Sequence, residues 1–213
     1  MSGKPAGSCV TTCHQMAAAL GHLGFEAEPM AACATVFRAA GQVKYTDVGV
    51  WEHPPIVRPD GTTNGHMVVW TESFRRLIDA TVVQDPALLK LARRDIQFTL
   101  PVVLRVPGGR DTLIDGQTAF TPRGPFLVSW LALPDWTETM TPLLDGPRGR
   151  AVEYGALAVA HDALDVRRST GEHRDLRELP RLYPTLAALL TGSTTLPPLA
   201  DELPPDVAQL LGR

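Results

Sequence analysis

The sequence predicts an α+β fold, in which an amphipathic helix packs on an antiparallel sheet. Apolar and small residues recur at helical spacing between Cys9 and Leu23, and Gly24 stands where a C-terminal cap belongs. Short apolar runs bounded by Gly, Pro, Asn and Asp follow, which is the pattern of strands and turns. Helical spacing returns beyond residue 134. We therefore expect a core over residues 1–133 and a mainly helical C-terminal elaboration with a proline-rich tail over residues 134–213, packed on that core.

The individual elements are predicted from local patterns. Residues 66–70 and 76–83 form a predicted hairpin, because two apolar, β-branched runs flank a short polar turn. Further strands are predicted over residues 31–37, 47–52, 102–106 and within 119–133. Helices are predicted over residues 85–92, 150–164 and 176–190.

Composition narrows the class of protein. The 213 residues include 20 basic and 23 acidic side chains, a net charge of −3 that favours neither nucleic acid nor an anionic membrane as partner. No apolar run approaches the roughly 18 residues of a membrane span, and the start of the chain lacks the apolar stretch of a signal peptide. Three cysteines are too few for a secreted disulfide framework. We expect reduced thiols and a cytoplasmic location.

Three polar residues occur in the order nucleophile, base and orienting carboxylate: Cys9, His66 and Asp79. Cys9 opens the predicted helix, where unpaired N–H groups and the helix dipole favour a thiolate. His66 and Asp79 are 13 positions apart, which suits adjacent strands of a hairpin, where opposed Cβ atoms lie about 5 Å apart. An unpaired carboxylate in the apolar run around Asp79 would be costly. We therefore expect it to pair with His66.

The three sequence blocks around these residues resemble the transglutaminase-like superfamily of papain-type cysteine enzymes. Cys9 precedes Gly24 by 15 positions, His66 leads an apolar strand ending in Trp70, and Asp79 leads an Ala-Thr pair. The resemblance covers roughly residues 7–84. It implies a papain-like core in which the Cys9 helix packs on the sheet that carries His66 and Asp79, and it implies these three residues as a catalytic triad.

The activity implied by this resemblance is attack of the Cys9 thiol on a carbonyl, an acyl-cysteine intermediate and no cofactor. Hydrolysis of a peptide, isopeptide or other amide bond is the first expectation, with a peptide, protein or small amide or thioester as substrate. Transfer of the acyl group to an amine, as in transglutaminases or arylamine N-acetyltransferases, is an alternative. A non-catalytic binding or assembly module of the same fold is another. We place substrate selection in the C-terminal region with Trp130, Trp136 and residues 148–150.

The remaining cysteines have simpler interpretations. Cys13 lies one helical turn below Cys9, and we predict that it and Cys33 belong to the core. A zinc site built from Cys9, Cys13, His14 and His66 is disfavoured, because structural zinc sites use paired Cys-x2-4-Cys elements and no second pair is present. No metal is therefore expected.

An oxyanion hole would begin with the backbone N–H of Cys9, since amides at a helix start are placed to stabilise a developing negative oxygen. Asn64 and Gln84 both carry amide groups near the motif blocks. Neither spacing compels the role of second donor, which stays unassigned.

Overall fold

The computed structural model describes residues 8–38, 43–59, 61–80, 82, 102–106, 108–114, 119–123 and 126–169. Within these residues the main elements follow one another as α1 (Ser8–His22), β1 (Ala27–Arg38), β2 (Val43–Val48), β3 (His66–Thr71), β4 (Arg76–Asp79), β5 (Val102–Arg105), α2 (Arg110–Ile114), β6 (Ala119–Arg123), β7 (Phe126–Ala132), α3 (Thr137–Met140) and α4 (Pro147–Ser169). Short 3-10 turns at Pro134–Trp136 and Thr141–Leu144 flank α3.

The strands form one antiparallel sheet organised around β1. Its order is β5-β4-β3-β1-β7-β6, with β2 also paired to β1. Ala32 pairs with both His66 of β3 and Ala132 of β7, and Ala34 pairs with both Val48 of β2 and Trp130 of β7. Strands β3 and β2 therefore follow each other along one edge of β1, and β7 covers the opposite edge. The predicted α+β class is confirmed.

The two faces of the sheet bury different clusters. Helix α1 lies on one face, where its residues Val10, Cys13 and Ala17 pack with Met67 and Val69 of β3. The opposite face holds the larger cluster, which consists of Met30, Ala32, Ala34, Val36, Val68, Trp70, Leu77, Val82, Val106, Leu113, Val128, Trp130 and Ala132. Alternation of side chains along β1 and β3 explains the division, because successive residues of a strand point to opposite faces.

Helix α1 ends where the sequence predicts. Gly24 adopts a φ of 81°, the left-handed conformation that glycine reaches without steric cost. The N–H of Phe25 donates to the Leu20 carbonyl and the N–H of Gly24 donates to the Gly21 carbonyl, both at 2.9 Å. This pair of bonds is a Schellman cap, which satisfies carbonyls that the helix end would otherwise leave open.

Helix α4 covers the outer side of α1. Ala156 and Ala160 of α4 pack against Ala19, and a Cβ on Gly155 would lie 2.5 Å from Nε2 of Gln15, so small residues permit close approach of the helices. The helix predicted over residues 150–164 is confirmed, and it begins earlier, at Pro147. In the part of the chain that the structure describes, no helix is long and apolar enough to cross a membrane.

Two strand predictions are corrected. The strand predicted over residues 47–52 lies instead at Val43–Val48, because Gly49 has a φ of 92° and cannot continue an extended strand. The strand predicted to reach residue 83 ends at Asp79, whose carboxylate accepts the N–H of Val82 and turns the chain. The helices predicted over residues 85–92 and 176–190 lie outside the described residues.

Candidate active site

The thiol of Cys9 lies in the first turn of α1, above the start of β3. Its side chain is half-buried, and Sγ is 3.8 Å from the carbonyl oxygen of Gly65, the residue that precedes His66. The backbone N–H of Cys9 belongs to the first turn, whose N–H groups have no acceptor within the helix. The structure thus places this thiol at the end of the helix that stabilises negative charge.

His66 and Asp79 form a buried ion pair. Nε2 of His66 lies 2.7 Å from Oδ2 of Asp79, and the side chains are 3% and 0% exposed. The Cys9 side chain is close enough to interact electrostatically with the ring. The structure therefore brings Cys9, His66 and Asp79 together in the predicted order.

The contact between His66 and Asp79 is diagonal. Val69 pairs with Ile78 and Trp70 pairs with Leu77, so Asp79 lies level with Val68, two residues from His66 along β3. The expected contact across the hairpin is present, although the two residues are not directly opposed. The turn that joins Thr71 to Arg76 sets this register, and the imidazole spans the remaining distance.

The carboxylate of Asp79 is held by two further donors. The indole Nε1 of Trp130, on β7, donates to Oδ2 at 2.7 Å, and the N–H of Val82 donates to Oδ1 at 2.8 Å. Donors to both oxygens favour the ionised carboxylate, and they fix its orientation toward the imidazole. Trp130 and Val82 are therefore positioning groups for the pair.

The protonation state of His66 follows from its neighbours. Burial lowers the pKa of the imidazole, but the charge of Asp79 and hydrogen bonds to Asp79 and Cys9 outweigh it, and the pKa rises to about 10. At neutral pH the ring is a cation between a carboxylate and a thiol.

Two glycines shape the backbone around the imidazole. A Cβ on Gly49 would lie 2.7 Å from Cβ of His66 and 2.9 Å from the carbonyl oxygen of Ala32, so β2 can end directly against His66 only if this residue is glycine. A Cβ on Gly65 would lie 2.8 Å from Cβ of Pro55 and would also meet Sδ of Met140. The chain entering β3 is therefore packed tightly on both sides.

The other two thiols lie in the interior, and His14 is half-buried. Cys13 and Cys33 are each 1% exposed, as predicted for core residues. Among the described residues, Nε2 of His14 finds no hydrogen-bond partner, and burial lowers the pKa of this ring. In the described part of the chain, no cluster of three or more His, Cys, Asp or Glu side chains could hold a metal ion.

The positioning role of Trp130 was missed by the sequence interpretation, which placed this residue in a substrate-selecting region. That placement is wrong, because Trp130 is fully buried and donates to Asp79. A signal was present, since a carboxylate predicted to be buried needs several donors and an indole N–H is a donor only. Trp136 packs against the cluster that includes Cys9, and the guanidinium of Arg148 lies against Gly61.

Of the two amides considered for an oxyanion hole, Asn64 lies in the part of the chain that the structure describes. Oδ1 of Asn64 accepts the N–H of Ile56 at 2.7 Å, which braces the loop before β3. Gln84 lies outside the described residues. The N–H of Cys9 is the group at this site that the helix start provides.

Comparison with known proteins adds no identification: the chain matches no protein-family model, no curated protein and no solved structure.

Proposed function

We propose that this chain is a cysteine-dependent hydrolase, of the transglutaminase-like and papain-like kind that its sequence blocks resemble, acting on a peptide, isopeptide or other amide bond. The observation that carries the proposal is the buried contact of 2.7 Å between His66 and Asp79, with Cys9 nearby at a helix start. A base held by a carboxylate and facing a thiol is the arrangement that activates a cysteine nucleophile.

The first half of the reaction uses the ion pair. The Cys9 thiolate attacks the carbonyl carbon, and the developing oxyanion is stabilised by the N–H of Cys9. Nδ1 of protonated His66 then gives its proton to the departing amine, so that the C–N bond breaks and an acyl-Cys9 remains. Asp79 keeps the ring in place throughout, because Trp130 and Val82 hold its two oxygens.

In the second half, the ring acts as a base. Neutral His66 takes a proton from water, whose oxygen attacks the thioester carbon, and Cys9 leaves as the thiolate beside the reprotonated ring. An amine in place of water would give acyl transfer from the same intermediate. The acceptor therefore decides between hydrolase and acyltransferase.

Acyl trapping tests the proposal directly. The protein is mixed with p-nitrophenyl acetate, and intact mass and peptide mapping locate any acetyl group. We expect a burst of p-nitrophenol and acetyl on Cys9, loss of both in Cys9→Ala, and a strong reduction in His66→Gln. Cys13→Ala is the matched control, since it removes a neighbouring thiol that has no role in the reaction.

The outcomes separate the candidate functions. Clearance of acetyl-Cys9 at the same rate with and without glycine methyl ester supports hydrolysis, whereas acetylated amine supports transfer. If Cys9 neither acetylates nor reacts with iodoacetamide faster than an ordinary free thiol between about pH 5 and pH 8, the chain is a non-catalytic module and the proposal is wrong.

A further inference from the structure

A second thiol lies beneath the candidate nucleophile. Cys13 follows Cys9 by four positions on α1, so the two side chains share one face of the helix. Sγ of Cys13 donates to the Met67 carbonyl at 3.1 Å, and Sγ of Cys9 faces the Gly65 carbonyl two positions earlier in the same segment. Acyl transfer makes no use of Cys13, so its position calls for a separate explanation.

The two thiols differ in how an oxidant can reach them. Cys9 is half-buried beside a cationic imidazole, whereas Cys13 is 1% exposed. Burial, together with the negative charges of Asp79 and Cys9, raises the pKa of Cys13 well above its ordinary value. Oxidation therefore begins at Cys9, because an oxidant reaches a half-buried thiol more readily than a fully buried one.

The third cysteine is not part of this arrangement. Cys33 lies in β1, where its electrostatic neighbours are Asp47 and Lys44. Burial and the charge of Asp47 raise the pKa of its thiol to about 11, despite a hydrogen bond with Thr35 and the charge of Lys44. Cys9 and Cys13 share one helix, whereas Cys33 lies on a strand.

We propose that Cys13 is the resolving thiol for Cys9, so that oxidation by a hydroperoxide closes a reversible Cys9–Cys13 disulfide and protects the nucleophile. The inference rests on the reactive Cys9 that the proposed function also needs, but it does not require Cys9 to attack a carbonyl.

Both steps balance. The Cys9 thiolate attacks the outer oxygen of the hydroperoxide, an S–O bond forms, the O–O bond breaks, and the leaving alkoxide or hydroxide takes a proton from His66. The product is a sulfenic acid on Cys9. The Cys13 thiol then attacks that sulfur, an S–S bond forms, the S–O bond breaks, and the hydroxyl group leaves with the Cys13 proton as water.

Closing the disulfide requires the start of α1 to open. Cβ atoms four residues apart on a helix are separated by about 5–6 Å, whereas a disulfide needs about 3.5–4.5 Å. Cys9 is the second residue of the helix, and the first four N–H groups of a helix have no acceptor within it. Unwinding this turn therefore breaks few backbone hydrogen bonds, but Sγ of Cys13 must also leave the Met67 carbonyl.

The experiment uses hydrogen peroxide on the full chain, followed by denaturation, alkylation with iodoacetamide and peptide mapping. We expect the wild-type protein to lose two of its three alkylatable thiols through a Cys9–Cys13 disulfide, and to recover both after dithiothreitol. In Cys13→Ala, Cys9 should instead advance to sulfinic acid, which dithiothreitol does not reverse. Cys33→Ala is the matched control and should behave as wild type.

Other results would overturn the inference. Sulfinic acid on wild-type Cys9 with Cys13 still alkylatable would do so, and so would a disulfide that includes Cys33. These failures are distinct from failure of the proposed function: if Cys9 acetylates normally but no disulfide forms, only the resolving role is lost. If Cys9 neither acetylates nor oxidises, both proposals fail.

Discussion

Replacing Asp79 with Asn tests how the site is held together. The substitution keeps the size and shape of the side chain but removes its charge. Among the described residues, donors from His66, Trp130 and Val82 point at the carboxylate. Asn can present one acceptor oxygen, and its NH₂ group must then face at least one N–H donor in a fully buried position.

The magnitude follows from these contacts. A hydrogen bond to a charged group contributes about 1.5–3 kcal/mol, and a buried donor left unmatched costs about 1–3 kcal/mol. In the least costly orientation the Asn oxygen keeps His66 and Trp130 and loses Val82. We expect Asp79→Asn to lower the free energy of unfolding by about 2–4 kcal/mol. It also removes the charge that raises the pKa of His66, so the ring near Cys9 is no longer held as a cation.

Urea unfolding and iodoacetamide labelling of Cys9 at about pH 6 measure the two effects. Glu72→Gln is the matched control, because Glu72 also accepts an indole N–H, from Trp70 at 2.9 Å, but is exposed to water. Glu72→Gln should lower the free energy of unfolding by less than about 1 kcal/mol and leave the rate of Cys9 labelling unchanged. If Asp79→Asn matches the control in both measurements, the ion pair does not organise this site.

Three further predictions concern the surroundings of the imidazole. Gly49→Ala should lower the free energy of unfolding by about 2 kcal/mol more than Gly109→Ala and should slow labelling of the Cys9 thiol. Both glycines have positive φ, but only a Cβ on Gly49 would meet His66. Equal effects of the two substitutions in unfolding experiments would contradict this. The pKa of His66 is raised from 6.5 to about 10, so its stabilising contribution is complete below pH 6.5 and is lost as pH rises to about 10. This contribution of the His66 charge amounts to at most about 5 kcal/mol. The free energies of unfolding of wild type and His66→Gln, measured in urea, should therefore converge as pH rises to about 10. A difference that widens with pH would refute the raised pKa of His66. Trp130→Phe should lower the free energy of unfolding by about 1–3 kcal/mol, because it removes a buried donor to Asp79. Trp70→Phe should have a smaller effect, because its indole donates to an exposed carboxylate. Thermal unfolding that ranks the two variants in reverse would count against Trp130 as a positioning residue for Asp79.

Local signals made half of the site predictable. The helix that carries Cys9 follows from apolar spacing and from Gly24, which both act within one or two turns. The hairpin of β3 and β4 follows from two apolar runs and the turn between them. His66 and Asp79 stand out because polar residues in such runs need partners.

The missed parts depend on contacts between distant segments. Trp130 reaches Asp79 only because β7 pairs with β1, which in turn pairs with β3, and apolar periodicity does not reveal strand order. The end of β2 is set by the φ of Gly49, which is needed because His66 packs directly against it. His66 and Asp79 contact each other diagonally across β3 and β4, because the length of the turn after β3 decides the register of the two strands.

The two alanines of β1 that pair with His66 and Trp130 limit how this sequence can vary. Ala32 and Ala34 lie between these side chains on one face of the sheet, and each is at most 2% exposed. A valine or leucine at either position would enlarge a buried side chain in the same cluster as Trp130, whose indole must reach Asp79. The site can therefore be lost by enlarging a methyl group, with every polar residue intact, so a variant that keeps Cys9, His66 and Asp79 has not necessarily kept their chemistry.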